Sequence, residues 1–141
     1  METYNVGEVD HATAIEKLGV GGWCRATLGY RLDLKKAPQQ MQEWVISEMD
    51  KIAKHVAIEH HLMAAGGDMT KRITEIKMPI LIMFGENSPL SKKEQMNEMK
   101  ALLPNAKLVM FEGYGHGINL LIPDRCVGEM EKFLGEHKFK P

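Results

Sequence analysis

The chain has 141 residues, with 18 Lys+Arg against 19 Asp+Glu, a formal net charge of −1 and 44% hydrophobic residues. That is the length of one ordinary domain, and its charge balance leaves no basic surplus for gripping nucleic acid or anionic lipid. The longest apolar run, Met78 to Phe84, is far short of the roughly 20 residues that span a bilayer.

The N-terminus, Met1-Glu2-Thr3-Tyr4-Asn5, has neither the positive flank nor the apolar stretch of a secretory signal. Cys24 and Cys126 stand far apart, which suggests neither a disulfide framework nor a clustered metal site. A cytoplasmic protein without membrane or nucleic-acid partner is expected. Methionine is over-used, at 11 residues. Its adaptable side chain fills irregular cores and also lines forgiving apolar pockets.

In chain order, the first 75 residues read as helical. Asp10 is a plausible N-cap for a helix that ends near Gly19, and Trp23 to Leu32 is a second helix. From Pro38 onward Met41, Trp44, Val45, Met49, Ile52 and Val56 follow one helical stripe. Gly66-Gly67 then breaks the pattern.

After Pro79 the character changes. Ile80-Leu81-Ile82-Met83-Phe84 ends in Gly85 and reads as a strand buried on both faces. A polar amphipathic helix follows from about Ser91 to Leu103, then a second strand, Lys107 to Phe111. A last helix runs from about Asp124 to Glu136, with Val127, Met130, Phe133 and Leu134 expected on its inner face. The two strands should be parallel and joined by the intervening helix. A two-stranded sheet is marginal in water, so further strands from another chain, a swapped copy or a missing N-terminal part are expected to complete it.

The loop Gly113-Tyr114-Gly115-His116-Gly117 comes straight off the second strand. Its glycines allow positive-φ backbone and present the imidazole at the carboxyl end of the sheet, where α/β proteins bind ligands. A neutral imidazole there can take a proton from a nucleophile and return it to a leaving group. The same glycines give G-x-G-x-G rather than G-x-G-x-x-G, and with Pro123 ahead no helix is expected to open at once, so a dinucleotide fingerprint is rejected.

These segments carry a resemblance. Met78-Pro79-Ile80-Leu81-Ile82-Met83-Phe84-Gly85-Glu86-Asn87-Ser88-Pro89-Leu90 resembles the penultimate-strand segment of α/β-hydrolases, where a catalytic acid follows the strand. Leu103-Pro104-Asn105-Ala106-Lys107-Leu108-Val109, through Gly115-His116-Gly117, is similar to that superfamily's last strand and histidine loop. The resemblance spans about residues 73 to 135. It implies an α/β fold that is the C-terminal portion of a hydrolase: a helical lid over residues 1–75, then β-α-β-α over residues 76–141. Among the superfamily, the esterase and 3-oxoadipate enol-lactonase group is the most similar.

His116 is then the catalytic histidine. Ser88 occupies the usual position of the acid, with Glu86, Asp10 and Glu8 as alternative carboxylates. Trp23, Trp44 and Ile118 are the expected substrate-lining side chains. The family's G-x-S-x-G elbow is absent, since the three serines, Ser47, Ser88 and Ser91, lack that context. The expected function is therefore the histidine-bearing half of a serine hydrolase acting on a small ester, lactone or ring-cleavage product. Its partner would be a protein carrying the G-x-S-x-G half, or a strand-swapped homodimer. The alternative is a non-catalytic binding module derived from the fold.

Gly22-Trp23-Cys24-Arg25-Ala26 loosely echoes a cysteine elbow, but it lacks the preceding strand. His55, Glu59, His60 and His61 could be read as metal ligands. However, H-E-x-x-H is absent and adjacent helical side chains point about 100° apart. No cofactor and no metal are expected.

Overall fold

The computed structural model describes residues 4–65, 67 and 69–137. It divides into two compact units, Met1–Asp68 and Met69–Pro141. Helices come first along the chain and the strands follow, as expected.

Among the described residues the first unit holds three helices. In α1, His11–Arg31, Asp10 is the N-cap: its Oδ1 accepts a hydrogen bond from the Thr13 amide at 2.7 Å. The expected stop at Gly19 is realised as a kink. Gly19 takes φ 71° and ψ 169°, and the chain then resumes helix through Trp23, so the two expected helices are one interrupted element. At Gly21 the amide donates to Asp50 Oδ1 at 2.9 Å. A Cβ on Gly21 would lie 2.5 Å from that oxygen, so the absent side chain admits the end of the second helix.

The single stripe expected from Met41 to Val56 is corrected. The structure breaks it into α2, Gln39–Asp50, and α3, Lys54–Ala65, because the chain turns at residues 51–53. Lys51 and Ile52 donate to Glu48 and Met49 and tighten the last turn of α2, which resets the helical phase. Ile46 is the buried residue of α2, whereas Trp44 is 50% exposed and Val56 48% exposed. Both helices pack on α1, and one helix offers each of them only a narrow face. The Gly66 part of the expected break lies outside the described residues.

The core of this unit is aromatic and cationic at once. Trp23 is fully buried and its Nε1 donates to the Tyr4 carbonyl at 2.8 Å. The Arg31 guanidinium lies 4.1 Å from the Trp23 ring centre and 5.0 Å from that of Tyr4. His61 meets Trp23 edge-on at 4.7 Å. Burial, together with the charges of His11, Arg31 and His60, holds the His61 pKa below its ordinary value.

The sign of the resulting pH dependence follows. The folded state disfavours the charged ring, so below about pH 6.5 the unfolded chain binds more protons. Stability should therefore fall as pH drops from about 6.5 through the lowered folded value. Urea unfolding followed by Trp fluorescence at stepped pH checks this. His61→Leu should flatten the dependence, and an unchanged slope in that variant would assign it to other groups.

The second unit opens with a one-turn helix, α4, Thr70–Ile73, and then holds the strand-helix-strand element. Strand β1, Ile80–Gly85, pairs in parallel with β2, Ala106–Phe111, from Ile80 opposite Ala106 to Gly85 opposite Phe111. Helix α5, Lys93–Leu102, connects them. Among the described residues the sheet has these two strands alone.

The expectation that β1 is buried on both faces is corrected: Ile80 to Met83 are half-buried, and only Phe84 and Gly85 are buried. The covering layers of a full parallel sheet are incomplete among the described residues. The last helix, α7, Pro123–Glu136, buries Cys126 and Phe133. Val127 and Leu134, expected inside, are 48% and 46% exposed, and Met130 is also exposed. The apolar arc of α7 is wider than the surface that this unit offers it.

Candidate active site

The site is built where the two strands end. β1 stops at Gly85 and the chain passes through Glu86, Asn87 and Ser88. β2 stops at Phe111 and runs into the histidine loop. Three hydrogen bonds stitch these exits together, and a fourth turns the β1 exit back on itself. The Glu86 amide donates to the Phe111 carbonyl at 3.1 Å, and the Asn87 amide to the Tyr114 carbonyl at 2.8 Å. The Ser88 amide turns back onto the Gly85 carbonyl at 3.1 Å, and the Gly113 amide donates to Glu86 Oε2 at 2.8 Å.

Glycine is required at two kinds of place. Gly113 and Gly117 take φ values of 72° and 85°, which a side chain disfavours. Gly85 serves close approach instead: a Cβ there would fall 2.1 Å from the Gly115 carbonyl oxygen and 2.6 Å from that of Tyr114. The histidine loop crosses directly over the end of β1, in space that only a missing side chain provides.

This crossing brings His116 to Ser88. Ser88 Oγ lies 3.0 Å from His116 Nδ1, and the same oxygen accepts from the amides of Leu90 at 3.3 Å and Ser91 at 3.1 Å. Ser88 is buried and His116 half-buried. His116 lines a cavity of about 270 Å³ with Met83, Phe84, Ser91, Ile118 and Met130. Below it Phe111, Ile118 and Cys126 form a small core with Met83, Val109 and Tyr114 against it. The walls are mostly apolar, with His116, Ser91 and Asn119 as the polar side chains among them.

One expectation about the loop is corrected. A helix does open at once after Gly117: α6, Ile118–Leu121, starts there with Gly117 as its left-handed N-cap. The dinucleotide fingerprint is still missing its third glycine, since Ile118 stands in that place.

The other expected site residues fall as follows. The Glu86 carboxylate binds the Gly113 amide and so holds the two loops together. Asp10 caps α1 in the helical unit, where the Thr13 hydrogen bonds hold its carboxyl below the usual range. Glu8 pairs with Lys17 at 2.6 Å. Trp23 is enclosed in the core of the helical unit, and Trp44 is half exposed on α2. Ile118 lines the cavity beside His116. Cys24 lies in the middle of α1, with helix rather than strand before it, and burial raises its thiol pKa against the opposing charge of Arg31. A nucleophile elbow is therefore not formed at Cys24.

Sequence reasoning missed Gly85 and Ser91. The Ser88-Pro89-Leu90-Ser91 run did hold a signal, since a serine followed by proline favours turns in which the hydroxyl bonds the backbone two or three residues on.

Residues 60–139 match the family described as TAP-like protein, an α/β-hydrolase family. Among curated proteins, the chain is 25% identical over 76 residues to the pimeloyl-[acyl-carrier protein] methyl ester esterase of Aliivibrio fischeri. That match covers 54% of this chain and 30% of the relative. It is 33% identical over 49 residues to Lipase 1 of Psychrobacter immobilis, covering 35% of this chain and 16% of the lipase.

Among solved structures, the esterase EaEST from Exiguobacterium antarcticum superposes with a TM-score of 0.76 at 19% identity, over 91% of this chain and 48% of that one. MenH from S. aureus gives 0.66 at 19% identity, over 97% of this chain and 49% of MenH. The chain thus spans about half the length of these structures and less than a third of the curated relatives. It belongs to the TAP-like family of α/β-hydrolases, as a C-terminal portion of that fold.

Proposed function

We propose that this chain supplies the histidine half of a hydrolase site that transfers the acyl group of a small ester, lactone or ring-cleavage product to water. The observation that carries the reading is the Ser88–His116 contact, held at the carboxyl ends of two parallel strands and opening on a mostly apolar cavity. The esterase and lipase among its relatives support an ester as substrate class.

In this reading a nucleophile hydroxyl gives its proton to His116 Nε2 while its oxygen adds to the carbonyl carbon. For an ester or lactone the imidazolium returns that proton to the departing alkoxide, and for a ring-cleavage product to the departing carbon, leaving an ester on the nucleophile. Water repeats the cycle and releases the acid. The nucleophile is placed on a polypeptide segment with a G-x-S-x-G elbow, because none of the three serines of these 141 residues stands in that motif. A strand-swapped homodimer would extend the sheet but add no such motif. Residues 1–75 are the cap in this proposal, and the setting is cytoplasmic.

A second reading, a binding module without turnover, is favoured by one specific feature. Ser88 is uncharged and cannot stabilise an imidazolium as a carboxylate does.

Hydrolysis of a chromogenic short-chain ester separates the two. It should be measured for the chain alone, and for the chain co-expressed with a G-x-S-x-G-bearing N-terminal hydrolase half. Turnover should require the second segment and should fall by about 10³-fold or more in His116→Ala. Turnover unchanged by His116→Ala would overturn the histidine's role. Ester bound but never cleaved in any combination would establish the binding module instead.

A further inference from the structure

We propose that Ser88 holds His116 in the tautomer whose proton sits on Nε2, so that position 88 throttles the site. The argument is a count of hydrogen-bonding capacity. A serine hydroxyl has one proton to donate and two lone pairs to accept with. Two backbone amides, those of Leu90 and Ser91, already donate to Ser88 Oγ. The remaining capacity is the hydroxyl proton, and the remaining neighbour is His116 Nδ1 at 3.0 Å. Ser88 therefore donates to Nδ1, which must be unprotonated, and the neutral ring carries its hydrogen on Nε2.

The consequence reverses the usual duty of this position. A carboxylate accepts a hydrogen bond from Nδ1–H and leaves Nε2 bare to act as a base. The hydroxyl donates to Nδ1 and makes Nε2 a donor. Such a ring suits recognition of an oxygen acceptor, a carbonyl or carboxylate, better than removal of a proton. To act as a base the ring must move its proton to Nδ1, and the Ser88 oxygen must then accept a hydrogen bond from Nδ1–H at the expense of a backbone amide. A wrong tautomer lowers turnover by about 10⁴-fold in a serine protease triad. This consequence for turnover rests on the reading of His116 as proton carrier, but the tautomer itself does not.

Long-range ¹H–¹⁵N NMR on the ¹⁵N-labelled full chain, at about pH 8, above the ordinary value of a free imidazole, tests the assignment. The expected result is an unprotonated Nδ1 and a protonated Nε2 in the wild type. Ser88→Thr, which keeps the hydroxyl, should retain this state, and Ser88→Asp should move the proton to Nδ1. With a nucleophile-bearing segment present, Ser88→Asp should also raise ester turnover by about 10²-fold or more. A protonated Nδ1 in the wild type, or no change in Ser88→Asp, would overturn the tautomer assignment while leaving the hydrolase reading standing. The expected tautomers with no turnover in any variant would sustain the assignment and remove the hydrolase reading.

Discussion

Gly85→Ala should dismantle the histidine loop's seat without removing any polar side chain of the site. The added Cβ would lie 2.1 Å and 2.6 Å from the carbonyl oxygens of Gly115 and Tyr114. Those are backbone atoms, so no side-chain rotation relieves the overlap. Either β1 or the loop must move, and the Asn87 amide bond to the Tyr114 carbonyl and the Ser88–His116 contact span that junction. Overpacking of this kind typically costs about 1–3 kcal/mol, and the upper end is expected where backbone meets backbone. Urea unfolding gives the stability change, and the His116 ring resonances report the displaced loop. Wild-type stability with unshifted His116 resonances would show that the crossing is not as close as the structure has it.

Trp23→Ala should have an even larger effect on the helical unit. The indole is 0% exposed, and a fully buried aromatic truncated to alanine costs about 3–5 kcal/mol. Two further losses accompany the cavity. The Tyr4 carbonyl loses the Nε1 donor, and the Arg31 guanidinium loses the ring it lies over. A cost of this size is a large fraction of the total stability of an ordinary domain, about 5–15 kcal/mol. Circular dichroism at 222 nm during urea titration measures it, with Trp23→Phe as the milder comparison. A cost below about 0.5 kcal/mol, the range of ordinary surface changes, would mean that Trp23 is not the centre of this core.

The strand-helix-strand element was legible because its signals are local and agree. A continuous apolar run closing on Gly85, a polar helix and a second apolar run admit few other arrangements. The observed strands extend the expected ones by one residue each. The Asp10 cap was legible for the same reason, since a capping carboxylate needs only the next turn of backbone.

What escaped depends on tertiary context. Nothing in the Met41–Val56 stripe reveals that the chain turns at residues 51–53, because the helical period continues across the break. Gly19 signals a helix end, but whether the chain leaves or merely kinks is decided by packing on α2 and α3. At the site, the serine in the acid's place was visible from the Gly85-Glu86-Asn87-Ser88 segment. The direction of its hydrogen bond was not, because it depends on how many amides the loop points at one oxygen.

The pairing of Ser88 with His116 is the claim on which the functional reading stands, and a double-mutant cycle tests it most directly. Ester turnover, with a nucleophile-bearing segment supplied, would be compared for wild type, Ser88→Asp, His116→Ala and the double variant. The expected result is a gain of about 10²-fold or more from Ser88→Asp that vanishes entirely when His116 is alanine. A gain of equal size in the absence of the imidazole would contradict it, because the new carboxylate would then be acting on something other than His116.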